Sequence, residues 1–341
     1  MQKILYLRNS SASFVQQDLD ELTKIYEVVD FVYINKGIFQ NLKSQFNLLN
    51  LLLKLPKNTI VYTWFADYHA FLPAFLGFNQ IVVIGGYDVI YAPKFKYGTF
   101  NKPWRKLIVK YILKKATKLL PVSNHILNEM LVNAKNKELQ KKSKVVYNAI
   151  KINYKLVDYK YYKNRKIDFT CVSLANDIFR YEIKGIDRFI ELVKFYPEKN
   201  FVLIGVSEKL QKDKSFERYT NLIVYEFIER ENLKEILSES KYICQFSRFE
   251  SFGLALLEGM SFGAIPLTMN NIASKEILEK CIHLEQGIYK EFNCSLIDEY
   301  VNQIETHENE IGKISIDVAA SFSLENRIKI IKEVINNEKI N

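Results

Sequence analysis

Along most of the chain, apolar runs of strand length alternate with helical patterns, and that alternation leaves few folds open. Lys3 to Leu7, Val28 to Ile34, Thr59 to Trp64 and Ile81 to Ile84 are short apolar or alternating runs, with helical periodicity at about 15–25 and 38–54 between them. The pattern resumes with Ile167 to Ser173, Phe201 to Gly205, Leu222 to Tyr225, Tyr242 to Phe246 and Ile265 to Thr268. Strands separated by helices do not close as hairpins, so the alternation predicts parallel sheets with crossover helices. At 341 residues the chain suits two such domains, each able to bury its own core. The stretch 151–166 is polar, rich in Lys and Tyr, and aperiodic, which marks it as a linker between a domain at 1–150 and one at 167–320.

Composition narrows the setting. No apolar run reaches the ~18–20 residues that span a bilayer, and the apolar part of MQKILYLRNSS is too brief, and too interrupted by charge, for a signal peptide. Cys171, Cys244, Cys281 and Cys294 are scattered without a C-x-x-C pair, the pattern of reduced thiols in a cytoplasmic protein. Charge is divided unevenly. Residues 1–150 hold 21 Lys and Arg against 9 Asp and Glu, a net of +12, and the remainder holds 27 against 30, a net of −3. Such asymmetry concerns partners more than fold.

The richest stretch runs from Phe249 to Leu267, FESFGLALLEGMSFGAIPL. A polar turn at Glu250 and Ser251 leads through Phe252 and Gly253 into an apolar helical run from Leu254 to Phe262; Gly263 closes it and a short buried strand follows. A turn feeding a helix presents unpaired backbone N–H groups and the positive end of the helix dipole, which suits a phosphate. Gly253, lacking Cβ, lets backbone approach a ligand. Glu258 lies on the apolar helix beside Leu256 and Leu257, and a carboxylate in such company needs a hydrogen-bonding partner. Ribose hydroxyls would serve.

Glu-Ser-Phe-Gly-Leu-x-x-Leu-Glu-Gly-Met-x-x-Gly-x-x-Pro resembles the donor-binding E-x7-E segment of family 4 retaining glycosyltransferases of the GT-B fold. Further segments fit the same family: Val-Ser at 122–123, VVYNAI from Val145 to Ile150 as the strand leaving the first domain, and Lys184-Gly185-Ile186-Asp187 opening a helix. The resemblance implies two Rossmann-like, doubly wound domains facing across a cleft, with a helix at 321–341 returning toward the first. It implies a nucleotide-sugar, UDP- or GDP-linked, as substrate on the second domain, and sugar transfer to a hydroxyl with retention. Neither metal nor cofactor is expected. Glu258 would hold the ribose and Glu250 the transferred sugar, with Ser251 and the amides of Phe252, Gly253 and Leu254 near sugar and phosphate. Lys184 would neutralise the diphosphate, with Arg180 standing in for an arginine whose usual position is Leu174. Phe227 and Ile228 fall where the family frames the base.

The first half departs further from the pattern. The loop after the first strand, Arg8 to Ser13, contains no glycine. Gly85-Gly86-Tyr87-Asp88 resembles the family's His-Gly-x-Asp segment, with Gly85 where the histidine commonly sits; Gly86 and Asp88 carry over as acceptor-side residues. His69 follows a strand end and reads equally as an acceptor-orienting group or a structural histidine. Asp18-Leu-Asp20 matches a metal-binding D-x-D of the other large glycosyltransferase fold, but lies in a helical pattern and reads as surface charge. From Val89 to Asn128 there is no acidic residue, and nine basic residues run from Lys94 to Lys118. A helix from Pro103 is expected to set Trp104, Leu107, Ile108 and Tyr111 on one face and Lys106, Lys110, Lys114 and Lys118 on another. That basic face reads as solvated surface or as a seat for an anionic membrane. No nucleic-acid module is visible.

The function expected is therefore a retaining glycosyltransferase acting on a cell-surface polysaccharide or a lipid-linked glycan, cytoplasmic or peripheral on the inner membrane face. A catalytically silent binder of the same fold, an epimerase or phosphorylase, and a basic membrane-binding module are the rival readings. The paired carboxylates of a glycoside hydrolase are not: Glu250 and Glu258 lie before and along one helix, and cannot flank a scissile bond.

Overall fold

The computed structural model describes residues 2–151, 161–270 and 272–338. The chain forms two compact units, one of Met1–Ala149 with Leu324–Asn341 and one of Ile150–Ser323. In the first unit the order is β1 (Lys3–Arg8), α1 (Ser13–Leu22), β2 (Glu27–Val32), α2 (Gly37–Lys54), β3 (Ile60–Trp64), α3 (Tyr68–Phe75), β4 (Asn79–Ile84), α4 (Pro103–Lys115), β5 (Lys118–Pro121) and α5 (Asn124–Ala134). The strands pair in parallel in the order β2-β1-β3-β4-β5. Strands β1, β3 and β4 are continuous apolar runs because helices cover both of their faces, whereas the edge strand β2 is partly exposed along its length. One buried cluster joins Leu5, Leu7, Tyr33, Leu48, Leu52, Val61 and Phe78.

The second unit runs β6 (Ile167–Ala175), α6 (Ile178–Ile183), α7 (Ile186–Phe195), β7 (Phe201–Val206), α8 (Glu208–Asp213), β8 (Leu222–Tyr225), α9 (Arg230–Ser238), β9 (Ser240–Gln245), α10 (Leu254–Ser261), β10 (Ile265–Met269), α11 (Lys275–Leu278), α12 (Ile282–Glu285), β11 (Ile288–Tyr289), α13 (Cys294–Ile304) and α14 (Glu308–Ala320). Its sheet is ordered β11-β10-β9-β6-β7-β8 and is parallel throughout. The chain then crosses back, and α15 (Leu324–Asn337) belongs to the first unit.

Five expectations are corrected. Asp18 is not surface charge: it is fully buried, because the inner side of α1 meets α15 rather than solvent. Arg327 holds both its oxygens at 2.7 Å, and Tyr62 and Trp64 donate to it at 2.9 and 3.1 Å. The helix from Pro103 ends at Lys115, and Lys118 opens β5. That helix buries Val109, Ile112 and Leu113, so Trp104 and Leu107 face solvent instead of the core. Val145 to Ile150 forms no strand; Val146 donates to Pro121 and Ile150 makes one isolated bridge with Ser323. The linker expected over 151–166 has its middle, 152–160, outside the described residues, and its far end is built into the second unit. There Tyr162 donates to the Lys241 and Gly263 carbonyls, and Arg165 to those of Ser240 and Phe262.

Candidate functional site

In an open parallel sheet the direction of strand addition reverses at one point, and the loops leaving the carboxyl ends there diverge to leave a crevice. In the second unit that point lies between β6 and β9. The chain leaving β6 gives α6, then Lys184 and Gly185; the chain leaving β9 gives Phe246 to Gly253 and then α10.

These two connections are stitched together by backbone and charge. Arg248 N–H donates to the Ile183 carbonyl, and its guanidinium takes Asp187 in a fork at 2.8 and 2.7 Å. Arg188 donates to the Phe246 carbonyl at 2.9 Å. Gly185 sits in the left-handed region (φ +66°), where a Cβ would collide with that same carbonyl. The effect is to set Lys184 against the β9 loop. Its Nζ lies 2.9 Å from Glu250 Oε2, and both side chains are largely sheltered.

Glu250 is held on three further sides. Gln245 Nε2 donates to Oε2 at 3.2 Å, Ser251 N–H to Oε1 at 3.1 Å, and Ala273 N–H to the Glu250 carbonyl at 3.2 Å. Gln245 was not singled out by the sequence, although a polar residue ending β9 was the available signal. Gly253 precedes α10 at φ +109°, and an added Cβ would meet Gln245 Oε1 at 2.7 Å and Ser274 Cβ at 2.8 Å. Gly253 at the N-cap has no side chain to cap α10, so among the described residues no capping side chain takes its first amides. Phe252 itself is buried, with its ring against Phe322.

Glu258 lies on α10, and burial pushes its carboxyl above the usual range while Arg230 at the start of α9 draws it back. Among the described residues no ion pair or side-chain hydrogen bond satisfies that carboxylate. Arg180 stands one turn before Lys184: its carbonyl accepts the Lys184 N–H at 2.9 Å and its own N–H is capped by Asp177 at 2.8 Å. Phe227 and Ile228, after β8, border an open recess of about 840 Å³ with Tyr225, Ile236 and Glu239. Lys184, Glu250 and Glu258 are not among its lining residues; Arg230, whose charge is felt at Glu258, follows the lining residue Glu229 in sequence.

In the first unit the corresponding reversal lies between β1 and β3. Asp88 is buried there and accepts from Ala66 N–H (2.9 Å) and Gly86 N–H (2.8 Å), which ties the loops after β3 and β4; burial raises its carboxyl to about 6. His69 is fully buried beside Tyr33, with Nε2 2.7 Å from the Trp64 carbonyl and a pKa lowered by burial, an inward-facing structural placement. Gly85 is crossed by the Phe65 ring, and Phe65 itself takes a left-handed backbone (φ 70°).

Residues 177–312 match the family model described as glycosyl transferases group 1. An uncharacterized 41.2 kDa protein in the cps region of Klebsiella pneumoniae is 28% identical over 205 residues, 55% of this chain. The match spans 53% of that relative, so the chain spans about half the length of the curated protein it matches. HepE of Anabaena, solved in complex with UDP, superposes with a TM-score of 0.73 at 14% identity, over 98% of this chain and 100% of that one. HepE with UDP-glucose gives 0.72 at 13% identity, over 99% and 100%. Sucrose-phosphate synthase from Thermosynechococcus elongatus gives 0.76 at 14%, over 99% of both chains. At such identities the likeness shows the fold: parallel α/β sheets of five and six strands, as in GT-B glycosyltransferases.

Proposed function

We propose, on the premise that this chain belongs to the group 1 glycosyl transferases through residues 177–312, that it moves a sugar from a nucleotide-sugar to an acceptor hydroxyl with retention of configuration. The observation that carries this reading is the meeting of Lys184 and Glu250 at the β6–β9 reversal, beside the free amide end of α10. A cation and backbone donors at one point suit a diphosphate; a carboxylate next to them suits the hydroxyls of the sugar it carries.

The residue roles follow from chemistry. Glu258 accepts from ribose hydroxyls, which supply the donors its half-buried carboxylate lacks. Phe227 and Ile228 frame the base on the Arg230 side. Glu250 accepts from the sugar, while Ser251 and the Phe252, Gly253 and Leu254 amides lie along sugar and phosphate. As the bond from the anomeric carbon to the β-phosphate oxygen breaks and the bond to the acceptor oxygen forms, charge grows on the departing diphosphate, and Lys184 with Arg180 stabilises it. The acceptor's proton passes to that phosphate, so no protein base is required. On the acceptor side, Gly86 offers backbone, while Asp88 and the buried His69 shape the loops that present it.

UDP-sugars lead the donor candidates, ahead of GDP-sugars, because HepE was solved with UDP and UDP-glucose. A polysaccharide or lipid-linked acceptor at the bacterial surface agrees with the relative from a cps region. The same reading places the protein in the cytoplasm or on the inner membrane face, with an anionic membrane surface against Lys94–Lys118. No described helix is long and apolar enough to cross a membrane.

The test is a thermal-shift screen with UDP-, GDP-, ADP- and TDP-sugars beside Glu258→Ala. A ligand of the native state at ~100 times its Kd adds about 2.7 kcal/mol. A shift with one nucleotide, lost in the variant, is expected. Binding without turnover of any acceptor series would favour the silent binder, a reading supported by Leu174 at the family's arginine position, 76% exposed. Product anomer analysis by NMR then checks retention.

A further inference from the structure

Helix α2 carries apolar residues on its outer side as well as on the side that meets the core. Its first turns hold to the unit through polar groups: Tyr33 donates to Asn41, Ser44 Oγ bonds both the N–H and the carbonyl of Ile34 at 3.2 Å, and Gln45 donates to the Tyr68 carbonyl at 2.9 Å. Its apolar residues there point the other way. Ile38, Phe39, Leu42, Phe46 and Leu53 are all 63–83% exposed. At about 100° per residue they fall within an arc of about 100°, one continuous stripe. Leu48 and Leu52 already seat α2 in the core; scattered surface leucines need no explanation, but a second, continuous apolar stripe on the outer side does.

The surroundings say what covers it. Helix α2 packs on α3, and α3 on α4, so the three outward faces adjoin. Phe75 of α3 and Trp104 and Leu107 of α4 add exposed apolar groups. Between residues 31 and 128 the chain has twelve lysines and Arg105, and only two carboxylates, Asp67 and Asp88. Both carboxylates are buried, Asp67 paired to Arg105 and Asp88 taken by backbone N–H groups. Glu338, which reaches Lys118 from α15, has a side chain only 7% exposed. The whole surface is therefore cationic and apolar, with Lys43 and Lys54 along one edge of the α2 stripe. A protein partner would demand acidic residues around an apolar centre; a bilayer with anionic headgroups supplies both layers at the matching depths.

We propose that the first unit docks on an anionic bilayer by laying the outward face of α2 into the headgroup boundary, with α3 and α4 flanking it. This deepens the membrane contact read above from Lys94–Lys118 by assigning the inserting element to a different helix, and it needs no donor chemistry for its test.

The experiment is co-sedimentation of the full chain with vesicles of equal parts phosphatidylcholine and phosphatidylglycerol, and with pure phosphatidylcholine, in the absence of any nucleotide-sugar. Binding to the mixed vesicles is expected to be at least about tenfold tighter and to weaken with salt. Phe39→Ser/Phe46→Ser, at exposed positions, should keep the melting temperature and lose about tenfold in vesicle affinity. Of the two tryptophans, Trp64 is buried and Trp104 exposed, so a blue shift of emission on docking should vanish in Trp104→Phe. Equal vesicle affinity of the double variant and the parent would overturn the assignment, leaving charge alone. So would absence of vesicle binding, or light scattering that shows a dimer dispersed by the double variant, which would make the occupant a second copy. Loss of donor binding in the thermal screen leaves this result untouched, so the two readings fail separately.

Discussion

Lys184 Nζ and Glu250 Oε2 stand 2.9 Å apart across 66 residues of sequence, each carried on a different strand's exit loop. On the proposed reading, a donor diphosphate competes with Glu250 for this lysine. Lys184→Met should lower kcat by roughly 10²–10³, the order for loss of one charge-stabilising contact, with a smaller change in donor KM. Arg180→Met should do less. Initial rates at saturating donor check both, and a fully active Lys184→Met would remove the lysine from the mechanism.

Donor binding should strengthen as pH rises through the titration of Glu258. Burial favours its protonated form to higher pH than is usual for a carboxyl, and only the carboxylate accepts from both ribose hydroxyls. The sign for ligand-free stability is opposite. A folded-state pKa raised above the unfolded one gives stability present at low pH and lost as pH rises through the raised value. Calorimetric titration of the donor at several pH values should show this slope, and Glu258→Gln should flatten it.

Breaking the Asp18–Arg327 pair should unfold the first unit selectively. Removing one partner of a buried pair costs about 3–5 kcal/mol, and here Tyr62 and Trp64 donate to the same Asp18 oxygen that Arg327 holds. Urea melts of Asp18→Asn and Arg327→Met should each show one transition displaced and the other unmoved. The double variant should cost less than the two singles summed.

Restoring a histidine at position 85 should not be neutral. Any Cβ there runs into the Phe65 ring, so Gly85→His should lower the melting temperature of the first unit, with an overpacking cost of about 1–3 kcal/mol. Adding Phe65→Ala should recover much of it. A melting curve for Gly85→His matching the parent would mean that the Phe65 ring moves aside at no cost.

What was legible in the sequence was local. Glu250, Gly253 and Glu258 sit within nine residues and Lys184 in a four-residue motif, so turn, helix start and charge could be read together. The alternation of strands and helices gave the two parallel sheets for the same reason. What failed depended on distant neighbours. Asp18 is silent without Arg327, 309 residues away. Periodicity found apolar faces on α4 but not which of them meets the sheet, so Trp104 and Leu107 were turned inward. Gln245 reads as one more strand residue until Glu250 is folded against it.

Because α15 completes the first unit from the far end of the chain, the unit that begins synthesis is the last that can be finished. Until Arg327 is made, Asp18 waits as a buried-to-be carboxylate without its guanidinium, while the second unit by then has every strand of its own sheet. The usual amino-terminal-first order of folding is therefore reversed at its last step. A chain stopped just after Ser323 would keep its Lys184–Glu250 pair and leave its opening sheet unsealed.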